Sequence, residues 1–197
     1  TLLVLSSPLT IPLMLLLCIL VKFSSKGPVF YGHKRIGKND KPITTWKFRS
    51  MVVDADKRLQ ELLEKNPEMK KEWNENQKLE HDPRVTRIGE FLRKTSLDEL
   101  PQLFNILTGS MSFVGPRPER QYYIDQLVEH APYYYLLHNV LPGITSWGMV
   151  RYGYASTLEE MLERLRYDWL YYENMSLKLD FVVLFYTIRT ILNGEGK

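Results

Sequence analysis

The chain opens with an almost uninterrupted apolar run over residues 1–23. At about 1.5 Å of rise per residue, a straight helix of this length would cross a hydrocarbon core of about 30 Å. Pro8 removes a backbone donor and clashes with the preceding turn, and Pro12 does the same one turn later. Ser7 can bond a carbonyl group that such a break releases. We therefore predict a membrane helix that bends at Ser7 and Pro8 and is re-entrant, in preference to a straight span or a buried core helix.

Basic residues follow the apolar run, namely Lys22, Lys26, Lys34 and Arg35. Basic residues beside a membrane segment mark its cytoplasmic side. The pattern predicts that residues 24–197 form a membrane-associated domain on the cytoplasmic face. Because the chain begins with Thr and lacks the basic region of a signal peptide, we expect it to be a fragment of a longer protein.

Alternating apolar and polar residues predict two short strands, 29–31 and 43–48, joined by a turn at residues 37–40. Lys47 and Arg49 alternate with Trp46 and Phe48 in the second strand. Both basic side chains should therefore share one face of this hairpin. That face either binds substrate or is solvated, and the sequence leaves the two alternatives open.

Three further segments have helical periodicity. Residues 54–80 form a charged insertion, in which Asn66 and Pro67 separate two helices that serve as a solvated cover or a partner-contact arm. Residues 157–172 carry a core stripe. Residues 175–192, with Trp169, Tyr171 and Tyr172, form either a second surface in the membrane interface or a core helix. The predicted fold class is α+β and mainly helical: a re-entrant N-terminal membrane helix, a small β-hairpin, and amphipathic interfacial helices around a compact catalytic core.

Composition excludes several classes of protein. A chain of 197 residues is long enough for one domain with its own core. The net charge of +3 is small, and no zinc-finger spacing or long basic run indicates a nucleic acid partner. With a single cysteine and four scattered histidines, cysteine-based or histidine-based metal sites are not expected.

Two neighbouring carboxylates, Asp98 and Glu99, are the strongest candidates for chemistry. Adjacent ionised groups need a cation, a shared proton or full hydration to coexist. Mg2+ is such a cation, because it takes one or two carboxylates and completes its shell with substrate phosphates and water. The alternative is a pair of solvated acids in the first turn of a helix, with Ser96 as its N-cap. Basic residues near the pair, including Arg93, favour chemistry on phosphates at a bilayer surface.

Arg117 lies between two prolines, Pro116 and Pro118, which hold the backbone extended. An arginine on a stiff support loses less entropy on binding and is a good bidentate phosphate ligand. The alternative is a structural ion pair with an acidic residue.

A set of motifs resembles a known family. In chain order they are SSPLTIP, GPVFYGHKRIG, TTWKFRSM, DPRVTRIGEFLRKTSLDELPQLFNIL, GSMSFVGPRPE, LPGIT and RYDWLYYENMSLKLD. They cover nearly the whole chain and are similar to those of the bacterial sugar transferases, the monotopic phosphoglycosyl transferases that start extracellular glycan assembly. The charged insertion resembles the larger members, which start capsule or exopolysaccharide repeat units.

The resemblance implies an activity. Such enzymes transfer a sugar 1-phosphate from a UDP-sugar to polyprenyl phosphate, usually undecaprenyl phosphate, and release UMP with Mg2+ as cofactor. They do so at the cytoplasmic face of the bacterial inner membrane, as the first step of exopolysaccharide, capsule or O-antigen assembly. The partners implied are the two substrates and the lipid bilayer. Glucose or galactose is the expected sugar, ahead of N-acetylated sugars, and a homo-oligomer is left open.

The resemblance also implies roles for individual residues. Asp98 matches the nucleophile that forms an aspartyl phosphosugar and also the magnesium ligand, and Glu99 matches its acidic partner. The substrate-binding candidates are Lys47, Arg49, Arg93, Arg117 and Arg151, of which Arg93 matches the position near the lipid phosphate. Ser7 and Pro8 match the break in the membrane helix, and Asp168 matches an acid of unassigned role.

The chain departs from the family pattern after LPGIT. The usual arginine is absent from its place, and Arg151 lies two positions earlier. This puts the sugar or nucleotide specificity in doubt. One other mechanism is left open, direct one-step transfer without a covalent intermediate. Two other functions are also left open, a lipid phosphatase and a noncatalytic membrane scaffold.

Overall fold

A computed structural model describes residues 2–76 and 79–193. Over these residues the chain is mainly helical and contains two small two-stranded sheets, β1–β2 and β3–β4. This confirms the predicted helical α+β class with a small hairpin. Residues 77 and 78 of the predicted insertion, and residues 194–197 of the predicted domain, lie outside the described residues.

The elements have the following bounds. The α-helices are α1 Leu2–Ser24, α2 Ala55–Lys65, α3 Pro67–Asn76, α4 Arg87–Lys94, α5 Leu103–Leu107, α6 Gln121–His130, α7 Trp147–Arg151, α8 Leu158–Glu173 and α9 Leu177–Leu192. The strands are β1 Phe30–Ile36, β2 Pro42–Phe48, β3 Ser112–Val114 and β4 Gly143–Thr145. Three 3-10 helices cover Lys38–Asp40, Leu97–Gln102 and Pro132–Asn139.

The chain divides into two compact units. The first comprises Thr1–Tyr31 and Lys47–Pro101, and the second comprises Gly32–Trp46 and Gln102–Lys197. Each strand of the hairpin therefore contributes residues to both units. The sequence-based boundary between a membrane helix and a single following domain stays a prediction.

Helix α1 packs one side against the core of the first unit. Leu17 and Val21 are buried there with Phe48 of β2 and Leu92 of α4. Other faces of α1 remain exposed, and over Ser7–Ser24 the helix has a mean hydropathy of 1.9 with only 11% of that segment buried. It is thus long and apolar enough to cross a membrane. Pro8 and Pro12 lie inside one continuous helix, so the bend and the re-entrant path stay predictions.

The charged insertion forms the two predicted helices, α2 and α3. Asn66 separates them, and its side-chain oxygen accepts hydrogen bonds from the N–H groups of Glu68 and Met69 at 3.1 and 3.2 Å. This is the geometry of a helix N-cap. The Asn66-Pro67 break read from the sequence is therefore confirmed.

The second unit has two apolar clusters. One joins α6, α8 and the 3-10 helix Pro132–Asn139 around Ile124, Leu127 and Leu165. The other joins β3, α8 and α9 around Val114, Tyr171 and Val183. Strand β3 pairs in parallel with β4, a long-range pairing that the sequence did not predict.

Helix α9 combines both alternatives left open by its sequence. Val183 is fully buried, whereas Phe181 and Phe185 are 63% and 68% exposed. The aromatic residues of α8 that were grouped with the same surface behave differently, since Tyr171 is buried and Trp169 packs against a core cluster. For these two residues the structure favours the core alternative, because both rings pack against apolar clusters of the second unit.

The close packing of Gly89 gives a testable prediction. Gly89 lies in α4, and a β-carbon at this position would collide with the backbone carbonyl of Ser50. Because a backbone group cannot turn aside, we expect Gly89→Ala to lower the free energy of unfolding by about 1–3 kcal/mol. Denaturant unfolding measures the change. Glu90→Ala, an exposed neighbour on the same helix, is the control and should stay close to the parent; equal stability of all three proteins would contradict the packing argument.

Candidate active site

A sharp change of backbone direction presents the acid pair. Helix α4 ends at Lys94, and Ser96 adopts a left-handed conformation with φ of 55°. The 3-10 helix Leu97–Gln102 begins directly afterwards and carries Asp98 and Glu99 in its first turn. The Ser96 carbonyl accepts a hydrogen bond from the N–H of Glu99 at 3.2 Å. A left-handed residue other than glycine is uncommon, and such positions concentrate at functional sites.

Lys47 neutralises part of the charge of the acid pair. Its Nζ lies 2.6 Å from Oε1 of Glu99 and 3.9 Å from Oδ2 of Asp98. Both acidic residues are buried, with relative exposures of 8% for Asp98 and 7% for Glu99. Buried carboxylates at adjacent positions need such a cation. The structure therefore brings together three residues that the sequence analysis assigned to the site.

Arg93 adds a second positive charge to this group. Its Nε donates a hydrogen bond to Oγ of Ser50 at 2.9 Å. Burial lowers the pKa of the Arg93 guanidinium, while the carboxylates of Asp98 and Asp82 oppose that shift. Since an arginine stays protonated in proteins, Arg93 places a fixed positive charge in the field of Asp98.

Arg49 has a different environment from Lys47, although the sequence predicted that the two share a strand face. Its guanidinium is buried and donates hydrogen bonds to the backbone carbonyls of Val21 and Ser25 at 3.3 and 2.6 Å, and to that of Pro28. These carbonyls lie at and just beyond the C-terminal end of α1. Cations there satisfy the unpaired carbonyl groups of a helix end. The geometry gives Arg49 a structural function, fixing the end of α1.

Arg117 belongs to the second unit. Its Nη1 lies 3.1 Å from the sulfur of Met149, and its guanidinium carbon lies 5.9 Å from the centre of the Tyr154 ring. Pro116 and Pro118 flank it, as the sequence shows. The positive charge of Arg117 also helps to lower the pKa of Glu119, which supports the alternative of a structural acidic neighbour. Phosphate binding, the other alternative, stays a prediction.

Glu119 is a buried charge that the sequence analysis did not single out. Its carboxylate accepts hydrogen bonds from Arg35 at 3.0 Å and Arg164 at 2.7 Å. Burial opposes its ionisation, but Arg164, Arg35 and Arg117 outweigh burial and hold its pKa below the usual value. The available signal was its position, two residues after Arg117 in the GPRPE motif.

Arg151, at the end of α7, is exposed and lies against two aromatic rings. Its guanidinium carbon is 5.3 Å from the Trp147 ring centre and 5.6 Å from that of Tyr186. Cation–π contacts of this kind hold an arginine side chain in place at a surface. Arg151 and Arg117 are both second-unit residues, and Lys47, Arg93, Asp98 and Glu99 are all first-unit residues.

Asp168 anchors the start of α7. It is buried and accepts a hydrogen bond from the N–H of Gly148 at 2.8 Å. Burial raises its pKa to about 6, and the neighbouring Arg164 and the hydrogen bonds from Gly148 and Ser146 limit the rise. The role that the sequence left unassigned is therefore positional, since Asp168 fixes the short helix that carries Met149 and Arg151.

The described part of the chain contains no group of three or more His, Cys, Asp or Glu side chains arranged to hold a metal ion. Mg2+ does not require such a group, because it uses one or two carboxylates and takes other ligands from phosphates and water. The chemistry of the Asp98–Glu99 pair fits this requirement. Glu99 is already paired with Lys47, which leaves Asp98 as the better candidate ligand.

Comparison with known proteins decides the family. The family model described as bacterial sugar transferase matches residues 1–194. The chain belongs to this family. The resemblance drawn from its motifs is confirmed.

Curated relatives in the family have named activities. The chain is 39% identical over 98% of its length to the UDP-N-acetylgalactosamine-undecaprenyl-phosphate N-acetylgalactosaminephosphotransferase of Aeromonas hydrophila, and covers 42% of that protein. It is 43% identical over 94% of its length to the exopolysaccharide production protein ExoY of Sinorhizobium fredii, and covers 79% of it. It is 41% identical over 90% of its length to the UDP-glucose:undecaprenyl-phosphate glucose-1-phosphate transferase of Escherichia coli, and covers 35% of it. The chain thus spans less than half of two of these relatives.

The raised pKa of Asp168 predicts a specific pH dependence. Because the folded state favours the protonated carboxyl group, its stabilising contribution is complete below the unfolded value of 3.8 and is lost as pH rises through about 6. Asp168→Asn keeps an acceptor for the Gly148 N–H and removes the titration. The free energy of unfolding of this variant minus that of the parent should therefore rise by roughly 2–3 kcal/mol from low pH to pH 7.

Denaturant unfolding of both proteins across this pH range measures the difference. Glu119 titrates in both proteins and, with its lowered pKa, loses stabilising effect as pH falls. The difference curve therefore reports Asp168 together with its interaction with Glu119. Parallel stability curves would show that Asp168 does not titrate as its burial implies.

Proposed function

We propose that the protein transfers a hexose 1-phosphate from a UDP-sugar to undecaprenyl phosphate, giving undecaprenyl-diphosphate-sugar and UMP through a covalent intermediate on Asp98. The observation that carries the proposal is the buried group of Asp98, Glu99 and Lys47. Membership of the bacterial sugar transferase family supports it, as do relatives named for the same class of transfer.

The asymmetry of this group divides the roles of the two acids. Lys47 lies at hydrogen-bond distance from Glu99 but 3.9 Å from Asp98. Glu99 is therefore the direct counter-ion that holds Lys47 in place. Asp98 forms the longer of the two ion pairs of Lys47 and also lies in the field of Arg93. These two positive charges reduce the repulsion that its carboxylate meets when it approaches an anionic phosphorus centre.

In the first step, an Asp98 carboxylate oxygen attacks the phosphorus atom next to the sugar. A new bond forms between oxygen and phosphorus, and the bond to the UMP oxygen breaks, so UMP leaves with the electron pair. The product is an acyl phosphate that carries the sugar. Phosphoryl transfer depends on charge neutralisation and in-line positioning, and Lys47 and Arg93 supply positive charge in the first unit. Arg117 is proposed as a further phosphate ligand because of its proline-stiffened backbone.

In the second step, a phosphate oxygen of undecaprenyl phosphate attacks the same phosphorus atom. The bond to Asp98 breaks, and the carboxylate is regenerated. Arg93 is the proposed partner of the lipid phosphate, because its guanidinium lies in the field of Asp98, where this phosphate must arrive. Since UMP departs before the lipid reacts, one small site can serve both substrates.

Mg2+ is the proposed cofactor, with Asp98 as its protein ligand. When bound, it neutralises phosphate charge and stabilises the departing oxygen of UMP. The positive charges of Lys47 and Arg93 reduce the repulsion between Asp98 and Glu99 whether or not the ion is bound. Contacts to the protein hold both cationic side chains in place.

The protein is proposed to act at the cytoplasmic face of the bacterial inner membrane, with the lipid bilayer as a partner. The apolar and largely exposed helix α1 supports membrane attachment, and the exposed Phe181 and Phe185 of α9 are suited to the interface. A re-entrant path at Ser7 and Pro8 would keep the attached domain on one side. A hexose is proposed as the sugar because relatives are named for glucose, galactose and N-acetylgalactosamine transfer.

Replacing Asp98 tests the proposed nucleophile. Asp98→Asn keeps the size of the side chain but removes the charge and nearly all nucleophilicity, so turnover should fall on the order of a thousandfold or more. UMP release is measured with purified protein, Mg2+, undecaprenyl phosphate and a panel of UDP-sugars. Asp56→Asn, in helix α2, is the matched control and should keep the parental rate. A fully active Asp98→Asn variant would contradict the proposal and favour a noncatalytic role for this pair.

A single-turnover experiment tests the covalent intermediate. With a UDP-sugar labelled in the sugar and no lipid, the protein should retain label up to one equivalent and release an equal amount of UMP. Added undecaprenyl phosphate should then remove the label into the lipid fraction. Direct one-step transfer predicts neither label nor UMP before the lipid is added. Continuous UMP release without lipid would indicate a hydrolase.

A further inference from the structure

The charged insertion is joined to the rest of the first unit by a short two-stranded stem, which we define as residues 50–52 and 84–86. In the stem, the N–H of Val52 donates to the carbonyl of Arg84, and the N–H of Thr86 donates to that of Ser50, both at 3.0 Å. Met51 and Val85 form an antiparallel bridge between these bonds. The ends of the insertion are thus held together by backbone hydrogen bonds.

The stem also holds Arg93. The Ser50 carbonyl accepts a hydrogen bond from the N–H of Thr86, which is the N-cap of α4. The Ser50 hydroxyl oxygen accepts the hydrogen bond from Arg93 Nε at 2.9 Å. Gly89 of α4 packs directly on the Ser50 backbone. Because one residue carries all three contacts, a displacement of the stem moves the partner of the Arg93 side chain.

At its other side, the stem is fixed to the insertion helices by Arg84. This residue is buried and binds Asp82 through two hydrogen bonds, Nε to Oδ1 at 2.8 Å and Nη2 to Oδ2 at 2.5 Å. Its guanidinium carbon lies 5.4 Å from the centre of the Trp73 ring of α3, and its Nη1 donates to the carbonyl of Ala55 at the start of α2. One arginine therefore contacts both helices of the insertion.

Alternating charges connect this arginine to the acid pair. Asp82 is held by Arg84, and its carboxylate acts on Arg93 together with that of Asp98. The side chains of Asp82 and Arg84 are 8% and 5% exposed, so solvent screens their interaction only weakly. The guanidinium of Arg93 thus experiences two carboxylates, one in the acid pair and one at the base of the insertion, and the like charge of Arg84 opposes them.

We propose that Trp73, Arg84 and Asp82 are positioning residues for Arg93, so that the docked insertion sets the orientation of the cationic side chain beside Asp98. In this arrangement the contacts of Trp73, Arg84 and Asp82 act on the site through Arg93, whereas the exposed positions of the insertion have no part in it. The inference rests on the proposed function, in which Arg93 receives the phosphate of the lipid substrate.

The test uses three variants of the protein in α3. Trp73→Leu removes the ring that covers Arg84, Trp73→Phe keeps an aromatic face, and Lys71→Gln is an exposed control on the same helix. Each is also made in an Arg93→Lys background, which removes the Nε donor to Ser50. UMP release is measured while undecaprenyl phosphate is varied at saturating UDP-sugar, and then with the two substrates exchanged.

We expect Trp73→Leu to raise the KM for undecaprenyl phosphate about fivefold, the effect of losing one cation–π contact, while the KM for the UDP-sugar changes less than about twofold. Trp73→Phe should restore most of the affinity, and Lys71→Gln should match the parent. In the Arg93→Lys background, Trp73→Leu should have little further effect, because the two changes act through one side chain. Equal fold-changes in both backgrounds would overturn the proposal.

A substrate-free measurement separates this inference from the proposed function. In protein labelled with 15N-arginine, the Nε–H signal that disappears in Arg93→Lys is assigned to Arg93. It should shift or exchange faster in Trp73→Leu and stay unchanged in Lys71→Gln. If it does so while no UDP-sugar yields UMP, the positioning holds and the proposed function fails. An unmoved Arg93 signal in Trp73→Leu would overturn the positioning, whatever the activity.

Discussion

The ion pair between Lys47 and Glu99 is the interaction on which the site depends. Two adjacent carboxylates in a buried environment repel each other and lose hydration, so one of them must gain a nearby cation. Lys47 meets this need at 2.6 Å from Glu99. The next residue along the strand, Phe48, is buried in the core of the first unit and fixes the strand that carries the lysine. On the other side, the left-handed Ser96 turns the chain so that both acids follow α4 directly.

Arginines in this chain show that residue type alone does not set function. Arg49 is bound by backbone carbonyls at the end of α1, and Arg84 by a carboxylate and an aromatic ring. In the second unit, Arg35 and Arg164 are bound to the buried Glu119. Removing one member of such a buried group leaves an uncompensated charge, so these arginines contribute to stability. Arg93 differs, because it is buried in the fields of two carboxylates, Asp98 and Asp82, and its Nε donates to the Ser50 hydroxyl oxygen.

Local patterns predicted the fold better than they predicted the site. The hairpin, the helix break at Asn66 and the helices α8 and α9 follow from periodicity and capping residues within a few positions. The acid pair and Arg93 were predicted to lie together because their motif is contiguous, and the structure places Arg93 in the field of Asp98. Glu119 and the real environment of Arg49 were missed, because their partners lie far away in sequence: Glu119 binds Arg35 and Arg164, and Arg49 binds the end of α1. The parallel pairing of β3 with β4 joins residues about 30 positions apart and has no local signal.

The difference between local patterns and contacts distant in sequence also explains why the insertion was predicted to be a solvated cover or a partner-contact arm. Its sequence is charged and its apolar stripe narrow, and no residue of α2 is buried. In its described part, the insertion is attached by the Trp73 ring over the buried Arg84, by the buried Leu79 and by backbone bonds in the stem. These contacts are too few to form a core, yet they end at Ser50, the residue that bonds Arg93. A small number of directional contacts can therefore connect the insertion to the Arg93 side chain, because hydrogen bonds depend on orientation more strongly than apolar burial does.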